Sequence, residues 1–189
     1  APLMHGTGAF NTMTALMSAG SVVTMVGRHF DPVELLDTVQ HHKVQGMSIV
    51  GDAFAKPILR ALDAEPERWD FSSMRVIVSS GVIWSAESKA GLLRHNERLI
   101  MVDSLGSSEA LSMANNTTKA GATTKTAKFM LGPDTKVLTE DGREVLPGSG
   151  ERGRVAMRGR VPLGYYKDPV KSAGTFVHYE GARWSIPGD

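Results

Sequence analysis

A chain of 189 residues with 41% hydrophobic and 22% charged side chains has the composition of an ordinary globular protein and enough length for one or two cored domains. Its net charge of +1 gives nucleic acid or an acidic membrane no electrostatic hold. The lack of cysteine excludes disulfides, thiolate catalysis and sulfur-ligated zinc, and leaves the compartment open. No apolar run is long enough for a membrane-spanning helix and no basic-then-apolar leader is visible, so no transmembrane segment is expected.

Residues 1–114 alternate helix and strand signals. Residues 9–19 predict a helix ended by Gly20, and 21–26 carry the β-branched content of a strand. Asp31 marks a helix start: it can cap the first turn, Pro32 fits the first position, Glu34 completes a capping box and Phe30 can staple to Leu35. Leu35, Leu36 and Val39 give that helix an apolar face, and Gly46 ends it. Residues 47–50 predict the next strand and 52–63 the next helix, where Pro57 marks a late start or a kink. A buried strand follows over 75–79, a helix capped by Ser85 runs to His95, and 99–102 read as another buried strand. Ala110-Leu111-Ser112-Met113 can start a further helix. Strands alternating with helices imply parallel crossover units and a layered α/β domain.

The pattern changes near Asn115. Residues 115–128 are rich in Thr, Lys, Ala and Gly without hydrophobic period and read as a mobile loop. Short strands over 136–139, 145–146 and 153–158, with a turn at Asp141-Gly142, argue a smaller β-rich part. The expected class is α/β: a parallel-sheet layered subdomain over 1–114, a flexible loop over 115–128, and a β-rich subdomain over 129–189.

Chemistry concentrates in Asp103-Ser104-Leu105-Gly106-Ser107-Ser108-Glu109. Gly106 permits close approach of a ligand to the backbone, and the hydroxyls with the Glu109 carboxylate can serve phosphate oxygens and a hard cation. A carboxylate there equally suits a solvated helix start. A serine hydrolase is a second reading, because Gly106-Ser107-Ser108-Glu109-Ala110 partly imitates a nucleophile elbow and Asp134 or Asp141 followed by His178 keeps the triad order. The second glycine of that motif is missing. A non-catalytic nucleotide-binding domain is a third. His41, His42 and Lys43 read as a solvated helix end, and Gly121-Ala122-Thr123-Thr124-Lys125-Thr126 imitates a phosphate loop without following a clear strand.

Ala1-Pro2-Leu3-Met4-His5-Gly6, Asp70-Phe71-Ser72-Ser73-Met74-Arg75, Ser79-Ser80-Gly81, Gly106-Ser107-Ser108-Glu109, Gly164-Tyr165-Tyr166-Lys167-Asp168-Pro169 and Gly188-Asp189 occur in one order. That order and spacing resemble the adenylate-forming acyl-CoA synthetases, closest to fatty-acid ligases of actinobacterial type. The resemblance implies a cytoplasmic, ATP-dependent enzyme that adenylates a hydrophobic, fatty or lipid-like carboxylic acid and passes the acyl group to coenzyme A, with ATP/AMP and Mg2+ as cofactors.

It implies catalytic roles for Ser108, whose hydroxyl would contact ATP phosphates, and Glu109, whose carboxylate would help hold magnesium. Asp103 would accept from the adenine amino group, with Ser104, Leu105 and Gly106 beside the nucleotide. Leu105 stands where many members carry an aromatic residue that stacks on adenine. Gly81, Val82 and Ile83 would line the adenine and acyl pocket, although the family often has small residues after the glycine. His5, Gly81 and Trp84 would border the substrate, with core packing the stronger reading for Trp84. Asp189 would accept from both ribose hydroxyls, and Gly164, Tyr165 and Tyr166 would be scaffold. The resemblance further implies an internal piece of such an enzyme, inactive alone. The phosphate loop would belong to an N-terminal segment, and the catalytic lysine to a C-terminal domain.

Overall fold

Helices begin where a side chain can reach back to the first free backbone amides. The computed structural model describes residues 1–121 and 128–188. In it His5 caps α1 (Gly6–Met17), its Nδ1 accepting from the Thr7 amide at 3.3 Å. Asp31 Oδ1 accepts from Val33 and Glu34 at 2.8 and 3.4 Å and opens α2 (Pro32–His42). Glu34 does not complete a capping box. Its Oε1 accepts instead from the amides of Val26 and Gly27, at 3.0 and 3.1 Å. The Val26 amide ends the stretch expected as a strand over 21–26, which is irregular: the carboxylate takes that donor, and the next one at Gly27, which a strand would offer to a neighbour.

Of the described residues, 1–104, 116–121 and 128 form one compact unit, and 105–115 with 129–188 form a second. The first continues with β1 (Gly46–Ile49), α3 (Asp52–Ala64), β2 (Val76–Ser80), α4 (Ala86–His95) and the start of β3 (Ile100–Ser107), whose residues from Leu105 on belong to the second. Pro57 neither delays nor interrupts α3. β1 and β2 pair in parallel from Gly46↔Val76 to Ile49↔Ser79, and β2 and β3 from Val76↔Ile100 to Ser80↔Ser104. Parallel neighbours need crossovers, which α3 and α4 supply. Leu36, Val39, Ile49, Ile58, Leu62, Met74, Ile77, Leu92, Leu99 and Met101 share one core with Trp69, Phe71 and Trp84.

The turns that leave β1 and β2 are stitched together. The Gly51 amide donates to the buried Ser79 hydroxyl at 2.9 Å. Asp52 Oδ1 accepts from both the amide and the hydroxyl of Ser85 at 3.1 Å. Partial burial pushes the Asp52 carboxyl up, but the bonds from Ser85, Ser88 and Lys56 outweigh it and the pKa lies below its ordinary value. Gly51 has φ +52, and a Cβ there would stand 2.5 Å from Val82 Cγ2 and 2.6 Å from the Ile83 carbonyl oxygen. Only glycine meets both demands.

After β3 the chain turns at Ser108 and Glu109 into β4 (Ala110–Thr118), not into the helix expected from Ala110. Asn115, Asn116, Thr117 and Thr118 are poor helix formers, and strand continues through the first four residues of the expected loop. Residues 122–127 of that loop lie outside the described residues. β5 (Met130–Leu131) pairs antiparallel with β4 at Ala114↔Leu131 and Asn115↔Met130. β6 (Thr135–Leu138), β7 (Arg154–Arg158), α5 (Pro169–Thr175), β8 (Phe176–Tyr179) and β9 (Ala182–Ser185) follow, with the strands in the antiparallel order β6-β7-β9-β8. Leu138, Ala156, Trp184 and Ile186 form this unit's core. Glu180 and Gly181, at φ 49 and 72, make the tight turn between β8 and β9, and two positive φ values match the twist of a two-residue hairpin. Among the described residues, no helix is long and apolar enough to cross a membrane.

Ser79→Ala strands the buried Gly51 amide. We expect it to cost about 1–3 kcal/mol in urea denaturation. A loss below about 0.5 kcal/mol would mean that the amide finds another acceptor and that the stitch is dispensable.

Candidate functional site

Parallel pairing places the C-terminal ends of β1, β2 and β3 at one edge of the sheet, where ligands of open α/β sheets bind. β2 delivers Gly81, at φ +93, followed by Val82 and Ile83, which are 56% and 70% exposed. Trp84 turns the other way. It is 1% exposed and belongs to the core, so it lines no open surface. His5 is engaged as the cap of α1.

Asp103 and Ser104 close the part of β3 that pairs with β2. The Asp103 carboxylate is tied through Oδ2 to the ammonium of Lys89, a residue of α4 that is completely buried. Asp103 keeps 13% of its side-chain surface exposed. Lys89 Nζ also lies 5.3 Å from the centre of the Trp84 ring, whose buried Nε1 has no hydrogen-bond partner among the described residues. Sequence reasoning passed over Lys89. Its signal is a lysine three residues before Leu92 on the buried side of a helix, a position that a cation occupies only with a partner.

In the second unit Leu105, Gly106 and Ser107 finish β3, and Leu105 is 37% exposed. A Cβ on Gly106 would come within 2.9 Å of the Ser112 nitrogen, so the hairpin itself requires this glycine. Ser107 Oγ accepts from the Glu109 amide at 3.2 Å, and Ser108 sits exposed in the turn. Glu109 Oε1 accepts from the Tyr165 hydroxyl at 2.6 Å. That bond holds the Glu109 carboxyl below its ordinary range against the opposing pull of partial burial, and it holds the Tyr165 phenol above its own.

Tyr165 is set in place by its amide, which donates to Ser172 Oγ at 2.8 Å, and by its ring, 5.8 Å from that of Phe176. The expected scaffold motif therefore also contributes a polar contact. No local spacing announces it, since Glu109 and Tyr165 are 56 residues apart.

Other candidates stand apart from this chemistry. Ser108 lies between two strands, which removes the strand-to-helix elbow of a serine hydrolase. Asp134 bonds to Arg158 and Asp141 to Thr139; among the described residues, none of these is joined to His178. Also among the described residues, no group of three His, Asp or Glu side chains can hold a metal ion. Asp189 and most of the phosphate-loop look-alike at 121–126 lie outside the described residues.

A lowered carboxylate pKa adds stability that is fully present above the ordinary value of 4.5 and is lost as pH falls through the depressed value. Tyr165→Phe removes its main cause. We expect the variant to be less stable near neutral pH, with the difference shrinking as pH falls below the ordinary carboxylate value of 4.5. Denaturant unfolding near neutral pH and in acid tests this. A gap that is unchanged or larger in acid would reassign it to packing of the Tyr165 ring.

The family model described as AMP-binding enzyme matches residues 1–166. The medium/long-chain-fatty-acid–CoA/3-oxocholest-4-en-26-oate–CoA ligase of Mycolicibacterium smegmatis is 36% identical over 192 residues, covering 100% of this chain and 34% of that protein. The 3-oxocholest-4-en-26-oate–CoA ligase of Rhodococcus rhodochrous is 36% identical over 198 residues with the same coverage. The chain thus spans about a third of the length of the curated relatives it matches. Among solved structures, a nonribosomal peptide synthetase is similar over 100% of this chain and 21% of its own, with TM-score 0.81 and 18% identity. A long-chain-fatty-acid–CoA ligase from Archaeoglobus fulgidus is similar over 100% of this chain and 39% of its own, with TM-score 0.77 and 22% identity. These likenesses establish an acyl-CoA synthetase-like α/β fold. With the family model matching all but its last 23 residues, the chain belongs to the AMP-binding enzymes.

Proposed function

We propose that the chain is the nucleotide- and acyl-binding part of an ATP-dependent acyl-CoA ligase acting on a hydrophobic carboxylic acid. The observation that carries this reading is the 36% identity, along the whole chain, to ligases named for medium- and long-chain fatty acids and a sterol acid. In the reaction a carboxylate oxygen attacks the α-phosphorus of ATP and pyrophosphate leaves. The thiolate of coenzyme A then attacks the acyl carbon of the mixed anhydride and AMP leaves. ATP and coenzyme A are cytoplasmic pools, which is where this reading places the protein.

Each residue has a role in that scheme. Asp103 accepts from the adenine amino group, beside Ser104, Leu105 and Gly106. Gly81 brings backbone to the ligand, while exposed Val82 and Ile83 offer apolar contact to the acyl chain and His5 borders it. Ser108 donates to phosphate oxygens, and Asp189 accepts from the ribose hydroxyls. Magnesium needs few protein ligands when substrate phosphates supply the rest, and the Glu109 carboxylate, ionised and oriented by Tyr165, would be one of them. The ion would neutralise phosphate charge as the α-phosphorus is attacked; positioning and electrostatics do most of the work in such a step.

Glu109→Gln removes charge with little change in volume. In the full-length protein we expect half-maximal pyrophosphate release to need about tenfold more magnesium, with the fold intact by circular dichroism. An unchanged magnesium titration would make Glu109 a turn residue only. The acyl substrate is tested with acetate, benzoate, octanoate, palmitate and a sterol acid. Each buried methylene adds about 0.8 kcal/mol, so kcat/KM rises with chain length until the pocket is full. A preference for acetate or for an amino acid would defeat the lipid assignment.

A further inference from the structure

Lys89 is the one lysine or arginine of the described residues that is buried, and its position is costly unless it does something specific. Its ammonium engages one oxygen of Asp103. The other oxygen, Oδ1, has no hydrogen-bond partner among the described residues, and the side chain keeps its small exposed surface beside the sheet edge that carries Gly81. An ionised carboxylate accepts only and an ammonium donates only. The pair therefore presents outward a single oriented acceptor.

We propose that Lys89 is the positioning residue for base recognition: by holding Oδ2 of Asp103 it fixes Oδ1 as an acceptor that selects a 6-amino purine over a 6-oxo purine. This rests on the reading of Asp103 as the adenine contact. The amino group of adenine donates to Oδ1. The O6 of hypoxanthine or guanine meets it acceptor to acceptor, and a site built for one hydrogen bond rejects the analogue that cannot make it. The Trp84 ring adds a wall that keeps the ammonium from swinging away from the carboxylate.

The direction of the Lys89 donor makes the proposal testable by a reversal. In Asp103→Asn, Lys89 can take only the carboxamide oxygen, which turns the NH2 group toward the base. That donor favours O6. Dissociation constants of ATP and inosine triphosphate are measured by titration calorimetry on the full-length protein, alongside kcat and KM for both in pyrophosphate release. Wild type should prefer ATP by about tenfold or more, and Asp103→Asn should prefer inosine triphosphate. In Lys89→Met/Asp103→Asn the untethered amide can present either face, and the ratio should return to within about threefold of unity. The effects should fall on Kd and KM more than on kcat at saturating nucleotide.

If Asp103→Asn keeps the wild-type ratio, Asp103 does not face the base and the underlying reading fails. If Asp103→Asn loses the preference but the double variant gives the same ratio, Asp103 reads the base and Lys89 does not orient it. Should the Asn variants fail to fold, Lys89→Gln and Lys89→Met carry the test. Gln retains a neutral donor and should keep the ratio within about threefold of wild type, whereas Met should lower it about tenfold. Equal ratios in the two overturn the proposal.

Discussion

Parallel pairing of β1, β2 and β3 is the constraint on which the first unit depends. Three strands that run the same way finish at the same edge, so residues distant in sequence arrive together there without any contact designed for that purpose. Gly81 follows the end of one such strand, and Asp103 and Ser104 lie at the same level on its neighbour. The crossover helices that make parallel pairing possible also begin at that edge, which gives it free backbone amides and capping side chains. Asp52 and Ser85 spend theirs on each other, joining the turns after β1 and β2 through bonds that do not involve the strands.

Two kinds of buried polarity surround that edge, and they act differently. The Ser79 hydroxyl and Gly51 amide are neutral and cancel locally, so their contribution is rigidity of the two turns. Lys89 and Asp103 are charged, and an apolar pair of equal volume would hold α4 against β3 at least as well. The pair therefore reads as a directional device carried by the core, with Trp84 and Leu92 as its apolar surroundings. In the second unit the Tyr165 hydroxyl holds one oxygen of the Glu109 carboxylate, as Lys89 holds one oxygen of Asp103.

Much of the architecture was legible from local chemistry. Asp31 and Ser85 cap the helices they were expected to cap, because an N-cap needs only residues two or three positions away. The strands over 47–50, 75–79 and 99–102 announced themselves by apolar runs. Reading failed where tertiary partners decided the outcome. Val22 and Val23 look like strand residues but have no ladder, and Glu34 takes the nearby amides for itself. Ala110 to Met113 have acceptable helix propensity, yet the chain pairs Ala114 and Asn115 with β5. The candidate site residues show the same divide: the Ser108-Glu109 motif is visible in one dimension, whereas Lys89 and Tyr165 find their partners 14 and 56 residues away.

The buried indole of Trp84 has an optical consequence. The chain contains three tryptophans, and two have indole N–H groups with acceptors: Trp69 donates to Asp37 at 2.6 Å and Trp184 to the Tyr179 carbonyl at 3.3 Å. Among the described residues Trp84 has none, and a buried ammonium lies 5.3 Å from its ring. A buried indole responds to the electric field around it, so a change in the charge of that pair would shift the Trp84 emission.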